Sequence, residues 1–180
     1  MNRLNTRYVR RIAFAGVIAA LYAALTIALG GVAFGPVQFR VAEALCILPF
    51  FFPSSVWGIF LGCIIANMFS PYQLDIIVGP LASLIAALCT LRIGRTGKTS
   101  VSIKALACLP PVLVNAVVIG ALIAFYMTGL GDSGAFLAAF YINCLQVGFG
   151  QLVVLYALGL PLMVYLPKLK VFTKLEELYT

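Results

Sequence analysis

Apolar runs of bilayer-crossing length recur from one end of the chain to the other, broken by short polar or Gly/Pro-rich intervals. Their borders predict six helices, at about 10–29, 41–52, 55–69, 74–91, 103–128 and 137–166. Pro36 closes a Gly-rich loop after the first helix, and Pro53 ends the second, where Pro49 predicts a kink. Ser70-Pro71-Tyr72 turns the chain between the third and fourth, and Pro110-Pro111 predicts a kink in the fifth. The last run is longer than one span needs, as for a tilted helix or one preceded by a surface turn. The fold class predicted is an all-α integral membrane protein, with residues 1–180 forming a single six-helix transmembrane domain.

Polar side chains interrupt this pattern at one level. Gln38, Arg40 and Glu43 stand at the start of the second helix, Asn67 at the end of the third and Asp75 in the first turn of the fourth. Asn115 falls in the middle of the fifth; Asn143 and Gln146 share a face of the sixth, with Gln151 further in. The opposite halves of these helices are almost bare of side-chain polarity. A charge at a helix centre costs at least roughly 2.5–3.5 kcal/mol and usually marks a site or pathway. Two accounts satisfy this cost. Arg40 can pair with Glu43 or Asp75 while the amides join neighbouring helices, or the group lines a pocket for a polar small molecule. Segregation into one half of the bilayer favours the pocket. Two carboxylates, one guanidinium and several amides, with Phe39, Tyr72 and Tyr126 near the same level, suit a planar heterocycle with many hydrogen bonds and room for a cation.

Composition agrees: 63% of residues are hydrophobic and 9% charged, with mean hydropathy +1.11. The net charge of +7 sits at helix ends, so it implies topology rather than nucleic acid. Basic clusters fall at the N-terminus (Arg3, Arg7, Arg10, Arg11), at Arg92, Arg95, Lys98 and Lys104, and at Lys168, Lys170 and Lys174. Six spans put all three on one side, which the positive-inside rule makes cytoplasmic. Both termini are then cytoplasmic and the polar layer opens outward. The N-terminal stretch has the look of a signal peptide, but its length and the spans behind it predict a retained helix.

Little catalytic or metal chemistry is on offer. There is no histidine, and the five cysteines form no CxxC pair, so neither a metal nor another cofactor is expected. Gly97-Lys98-Thr99-Ser100 has the tail of a phosphate-binding loop, but Arg92 stands where its first glycine belongs. No nucleophile–base pair is present, so the chain is not expected to be an enzyme; a membrane enzyme would have to work with Glu43 and Asp75.

The first helix carries small residues at every fourth position: Ala15, Ala19 and Ala23, with Gly16, Ala20 and Ala24 beside them. Such a stripe admits close approach of another helix, either this chain's own or a separate subunit's.

The residues Val37-Gln38-Phe39-Arg40-Val41-Ala42-Glu43-Ala44-Leu45, Leu48-Pro49, Gly58 to Asn67, then Asp75 and Gly79 resemble the QueT family. The similarity extends over nearly the whole chain, through Val147-Gly148 and Gly159-Leu160-Pro161. These are S components, the substrate-binding membrane subunits of energy-coupling-factor (ECF) transporters, assigned to queuosine precursors. The resemblance implies a six-helix S-component bundle in the bacterial plasma membrane, capped by the loop after the first helix. It implies an ECF transmembrane coupling subunit and two ABC ATPases as partners, with Ala15, Ala19 and Ala23 matching the spacing that contacts the coupling subunit. It also implies 7-aminomethyl-7-deazaguanine or queuine as ligand, with Glu43 and Asp75 sharing the guanine edge and the ammonium in either order. An acidic residue is common after Gly150 in the family, and Gln151 stands there in this chain. The alternatives are an S component for another heterocyclic vitamin and a solitary transporter without an ATPase.

Overall fold

The structure, a computed structural model, describes residues 3–35, 37–129 and 131–179. Pro36, expected to close the loop after the first helix, lies outside the described residues. Regular structure among the described residues is helical: α1 (Arg3–Ala28), α2 (Gly30–Ala33), a 3-10 helix (Val41–Phe50), α3 (Ser55–Asn67), α4 (Asp75–Gly94), α5 (Val101–Thr128) and α6 (Ser133–Val154). A π turn (Leu155–Gly159), α7 (Leu160–Tyr165), a 3-10 turn (Leu166–Lys168) and α8 (Lys170–Tyr179) complete the chain.

Four stretches are long and apolar enough to cross a bilayer: Thr6–Ala28, Asp75–Gly94, Val101–Thr128 and Ser133–Lys168. Val41–Phe50 and Ser55–Asn67 are apolar but shorter. Ten residues of 3-10 helix at a rise of about 2.0 Å, or 13 of α-helix at about 1.5 Å, extend only about 20 Å, against a hydrocarbon core of roughly 30 Å. Where six full spans are expected, the structure has four long helices and two short ones.

The 3-10 helix replaces the α-helix expected over 41–52. Pro49 lies inside it, and the Glu43 N–H already bonds the Arg40 carbonyl three residues back. Runs of this length are uncommon because the hydrogen bonds are poorer. This one is enclosed: Ala42, Glu43, Ala44, Cys46, Ile47, Leu48, Pro49 and Phe50 are all buried. It touches α1, α3, α4, α5, α6 and the π turn, while around it α1 packs on α3, α3 on α4, α4 on α5 and α5 on α6. An apolar groove of about 380 Å³ runs between Leu25 of α1 and Leu158, Leu162 and Tyr165, with Val41 and Leu45 as its floor.

The α1–α3 contact settles which face of α1 is inside. A Cβ on Gly58 would lie 2.6 Å from the Ala15 carbonyl oxygen, and one on Gly62 would lie 2.7 Å from that of Ala19. The two backbones touch there. Ala15, Ala19 and Ala23 are 9, 6 and 6% exposed. Ala15 and Ala19, two of the three alanines expected to dock a separate subunit, meet the chain's own α3 at these contacts. Gly16, Ala20 and Ala24, beside them on α1, are exposed.

Prolines shape the remainder. Pro111 has no N–H to give the Ala107 carbonyl, and the Thr90 hydroxyl donates to that oxygen at 3.0 Å, joining α4 to α5. Pro161 is the second residue of α7, which directly follows the π turn. α6 begins at Ser133 rather than near 137, because Asp132 caps it by accepting from the Gly134 and Ala135 N–H groups. The sequence reading did not include α8; its Phe172 is buried against Phe51 and Phe52, with ring centroids 5.1 Å apart in both pairs.

Candidate substrate-binding site

The buried charges meet where the start of the 3-10 helix crosses the end of α3 and the start of α4. Asp75, in the first turn of α4, accepts from Arg40 Nη2 at 3.2 Å through Oδ2, and both side chains are almost fully buried. The Ser70 hydroxyl donates to the same Oδ2 at 2.9 Å. Asn67, the last residue of α3, donates from Nδ2 to the Asp75 carbonyl at 2.9 Å, tying the two helix ends together. Gly79 lies one turn along α4. A Cβ there would run into the Asn67 amide and come within 2.5 Å of Asp75 Oδ1, so only glycine leaves room for this pair. The Arg40 guanidinium lies over the Phe34 ring, 5.2 Å from its centroid.

Glu43 stands beside this group but has different partners. The Tyr22 hydroxyl of α1 donates to Oε1 at 2.6 Å and the Cys46 thiol to Oε2 at 2.9 Å; all three side chains are inaccessible to solvent. Arg40 and Glu43 stand three residues apart at the start of the 3-10 helix, so the two sets adjoin. Cys63 extends it, accepting from Asn67 Nδ2 and the Ser83 hydroxyl, both at 3.5 Å.

Four buried polar atoms of expected site residues have no hydrogen-bond partner among the described residues: Arg40 Nε, Asn67 Oδ1, Asp75 Oδ1 and Gln151 Oε1. Buried polar groups are normally satisfied, and leaving one without a partner costs about 1–3 kcal/mol. Three of the four belong to the Arg40–Asp75–Asn67 group.

The structure therefore brings together Arg40, Asp75, Asn67 and Glu43 from the expected set. Gln38 is buried in the segment leading to Arg40, with backbone φ of 50°, a left-handed conformation uncommon outside glycine. Tyr72 packs on Tyr126 at 5.2 Å, and the Tyr126 hydroxyl accepts from the Leu74 N–H. Asn143 bonds its own helix at the Ala139 carbonyl, 2.8 Å, and Met127 Sδ at 3.5 Å. Asn115 is buried and Gln146 half-buried, and neither bonds the charged cluster. Phe39 stacks edge-on with Phe149. No expected site residue lines the apolar groove. Tyr22, Cys46, Cys63 and Ser70 are in the cluster and were not expected.

The model of the QueT transporter family matches residues 12–168. The chain belongs to the QueT transporter family. The match takes in every candidate residue from Ala15 to Gln151 and stops before α8. Over 71 residues this QueT-family chain is 39% identical to the Queuosine precursor transporter QueT of Lactococcus lactis subsp. cremoris (strain MG1363), covering 38% of this chain and 42% of that relative. The match thus spans less than half of the relative's length. No solved structure matches the chain. Family and relative alike are named as transporters and not as enzymes.

Proposed function

We propose that this QueT-family chain is the S component of an ECF-type ABC importer and that it takes a queuosine precursor, 7-aminomethyl-7-deazaguanine or queuine. One observation carries the reading: Arg40 Nε, Asp75 Oδ1 and Asn67 Oδ1 are one donor and two acceptors, buried together and without hydrogen-bond partners among the described residues. A guanine-type edge presents the complement in a row, namely a carbonyl oxygen, a ring N–H and an amino group. The oxygen goes to Arg40, the ring N–H to Asp75 and the amino group to Asn67. Ligand binding then satisfies three groups that are costly to leave bare, and the name of the Lactococcus relative points to the same substrate class.

Transport energy comes from partners, an ECF transmembrane coupling subunit and two ABC ATPases, since the chain has no nucleotide motif of its own. The face offered to the coupling subunit is Gly16, Ala20 and Ala24, small and exposed on α1. Six segments cross or enter the membrane, both termini are cytoplasmic, and the site opens outward.

The test is equilibrium binding by the purified protein in detergent, with guanine, 7-aminomethyl-7-deazaguanine, queuine and hypoxanthine. Hypoxanthine lacks the amino group, so it should bind at least about tenfold more weakly than guanine, and Asn67→Ala should remove that difference. Equal binding of guanine and hypoxanthine by the wild type would refute the edge assignment. Uptake in cells lacking the coupling module would refute the S-component mechanism and favour a solitary transporter.

A further inference from the structure

The two buried carboxylates are not equivalent. Asp75 already holds a cation, Arg40, at 3.2 Å, with Ser70 on the same oxygen. Glu43 has neutral donors only, the Tyr22 hydroxyl and the Cys46 thiol, and among the described residues it forms no ion pair. The cluster of Arg40, Asp75 and Glu43 thus holds two carboxylates against one guanidinium, and Glu43 is the one without a cationic partner among the described residues. Each Glu43 oxygen keeps a lone pair beyond the one its donor uses.

We propose that Glu43 receives the cationic amine of the ligand, and that Tyr22 and Cys46 are positioning residues that hold its two oxygens for it. This rests on the deazapurine reading above and divides that site in two: the Arg40–Asp75–Asn67 group reads the ring edge, and Glu43 selects the amine. Tyr22 is well placed for the task. Its Cβ lies 2.8 Å from where a Gly62 side chain would begin, and its own carbonyl accepts from the Thr26 hydroxyl at 2.9 Å. The hydroxyl that aims Glu43 therefore stands on the stretch of α1 that packs on Gly62. The same contact joins amine recognition to the helix whose opposite face exposes Gly16, Ala20 and Ala24.

The experiment compares dissociation constants for 7-aminomethyl-7-deazaguanine and 7-deazaguanine, which share the ring edge and differ in the amine. Full-length wild type, Glu43→Gln, Tyr22→Phe, Cys46→Ala and Asp75→Asn are each purified in detergent. The wild type should prefer the amine by at least about tenfold, the size of one charge-assisted contact. Glu43→Gln should bring that ratio toward one. Tyr22→Phe and Cys46→Ala should each lower it about threefold or more, while Asp75→Asn weakens both ligands together. A ratio that survives Glu43→Gln, or that falls in Asp75→Asn instead, overturns the proposal. So does a loss in Tyr22→Phe and Cys46→Ala that is equal for both ligands, since that is the mark of a merely structural role. Wild type that binds the ring and shows no preference for the amine overturns this inference alone; wild type that binds neither ligand overturns the deazapurine reading with it.

Discussion

Replacing Gly62 by alanine adds one methyl group at the point where α1 and α3 touch. The new Cβ would lie 2.7 Å from the Ala19 carbonyl oxygen, 2.8 Å from Tyr22 Cβ and 3.0 Å from Ala19 Cα. Ordinary carbon contacts begin near 3.4 Å, so the helices must separate by about 0.6 Å. None of these neighbours is the tip of a flexible side chain; they are backbone and Cβ atoms, which move only with the helix. Overpacking of this kind costs about 1–3 kcal/mol. The same displacement draws the Tyr22 hydroxyl away from Glu43, and losing a hydrogen bond to a charged group costs about 1.5–3 kcal/mol. The expected result is a stability lower by roughly 2.5–6 kcal/mol together with weaker ligand binding. Gly16→Ala, on the exposed face of α1, is the control. Nothing lies within 4 Å of its Cβ, and alanine is the better helix former by about 1 kcal/mol, so it should be neutral or stabilising. Both variants can be followed by circular dichroism during thermal unfolding in detergent, with binding measured on the same preparations. A Gly62→Ala protein as stable as wild type, or a Gly16→Ala protein equally damaged, would refute the assignment of the inward face of α1.

Two further outcomes follow from buried partners. Arg40→Gln or Asp75→Asn alone leaves a charge buried without its counter-ion, so each should cost about 3–5 kcal/mol of stability, and the double variant should recover much of that loss; strict additivity in unfolding measurements would show that the pair is not coupled. Thr90→Val keeps the side-chain shape but strips the Ala107 carbonyl of the donor that replaces the missing Pro111 N–H, and should lower stability by about 1–2 kcal/mol, whereas an unchanged unfolding midpoint would show that the carbonyl is satisfied elsewhere.

The charged part of the site was legible because charge in an apolar stretch demands an explanation. Arg40, Glu43, Asp75 and Asn67 stood out one by one, and the structure brings all four into one cluster. Tyr22 did not stand out, since a tyrosine among alanines is equally a packing or interface residue. Its signal was spacing: Ala15, Ala19, Tyr22 and Thr26 follow one helical face, and all four are buried. That docking was expected of Ala15, Ala19 and Ala23 has a related reason. The Ala15 and Gly16 stripes both have four-residue spacing, and hydropathy does not separate two small-residue faces set about 100° apart. Gly58 and Gly62 held the missing information, because small residues on two helices of one chain can pack on each other. The 3-10 winding of Val41–Phe50 was beyond reach, since apolar character carries no information on rise per residue. α8 escaped because its mixed Lys, Thr and Glu composition falls outside any apolar run.

The shortness of the 3-10 helix and α3 bears on how the site comes to exist. An element of about 20 Å inside a layer of roughly 30 Å cannot reach both surfaces, so the chain at its ends has to enter the bundle. The residues leading into the 3-10 helix do this: Gln38 and Arg40 are non-helical in backbone, yet only 2 and 3% exposed. Irregular backbone at such depth is tolerated where it is buried in protein or lines a cavity. A full-length second helix would have carried Arg40 and Glu43 to the membrane surface, where water satisfies them and no ligand is required. Because the element is short, these side chains must be met inside the bundle: Asp75 pairs with Arg40, and Glu43 is left without a cationic partner among the described residues.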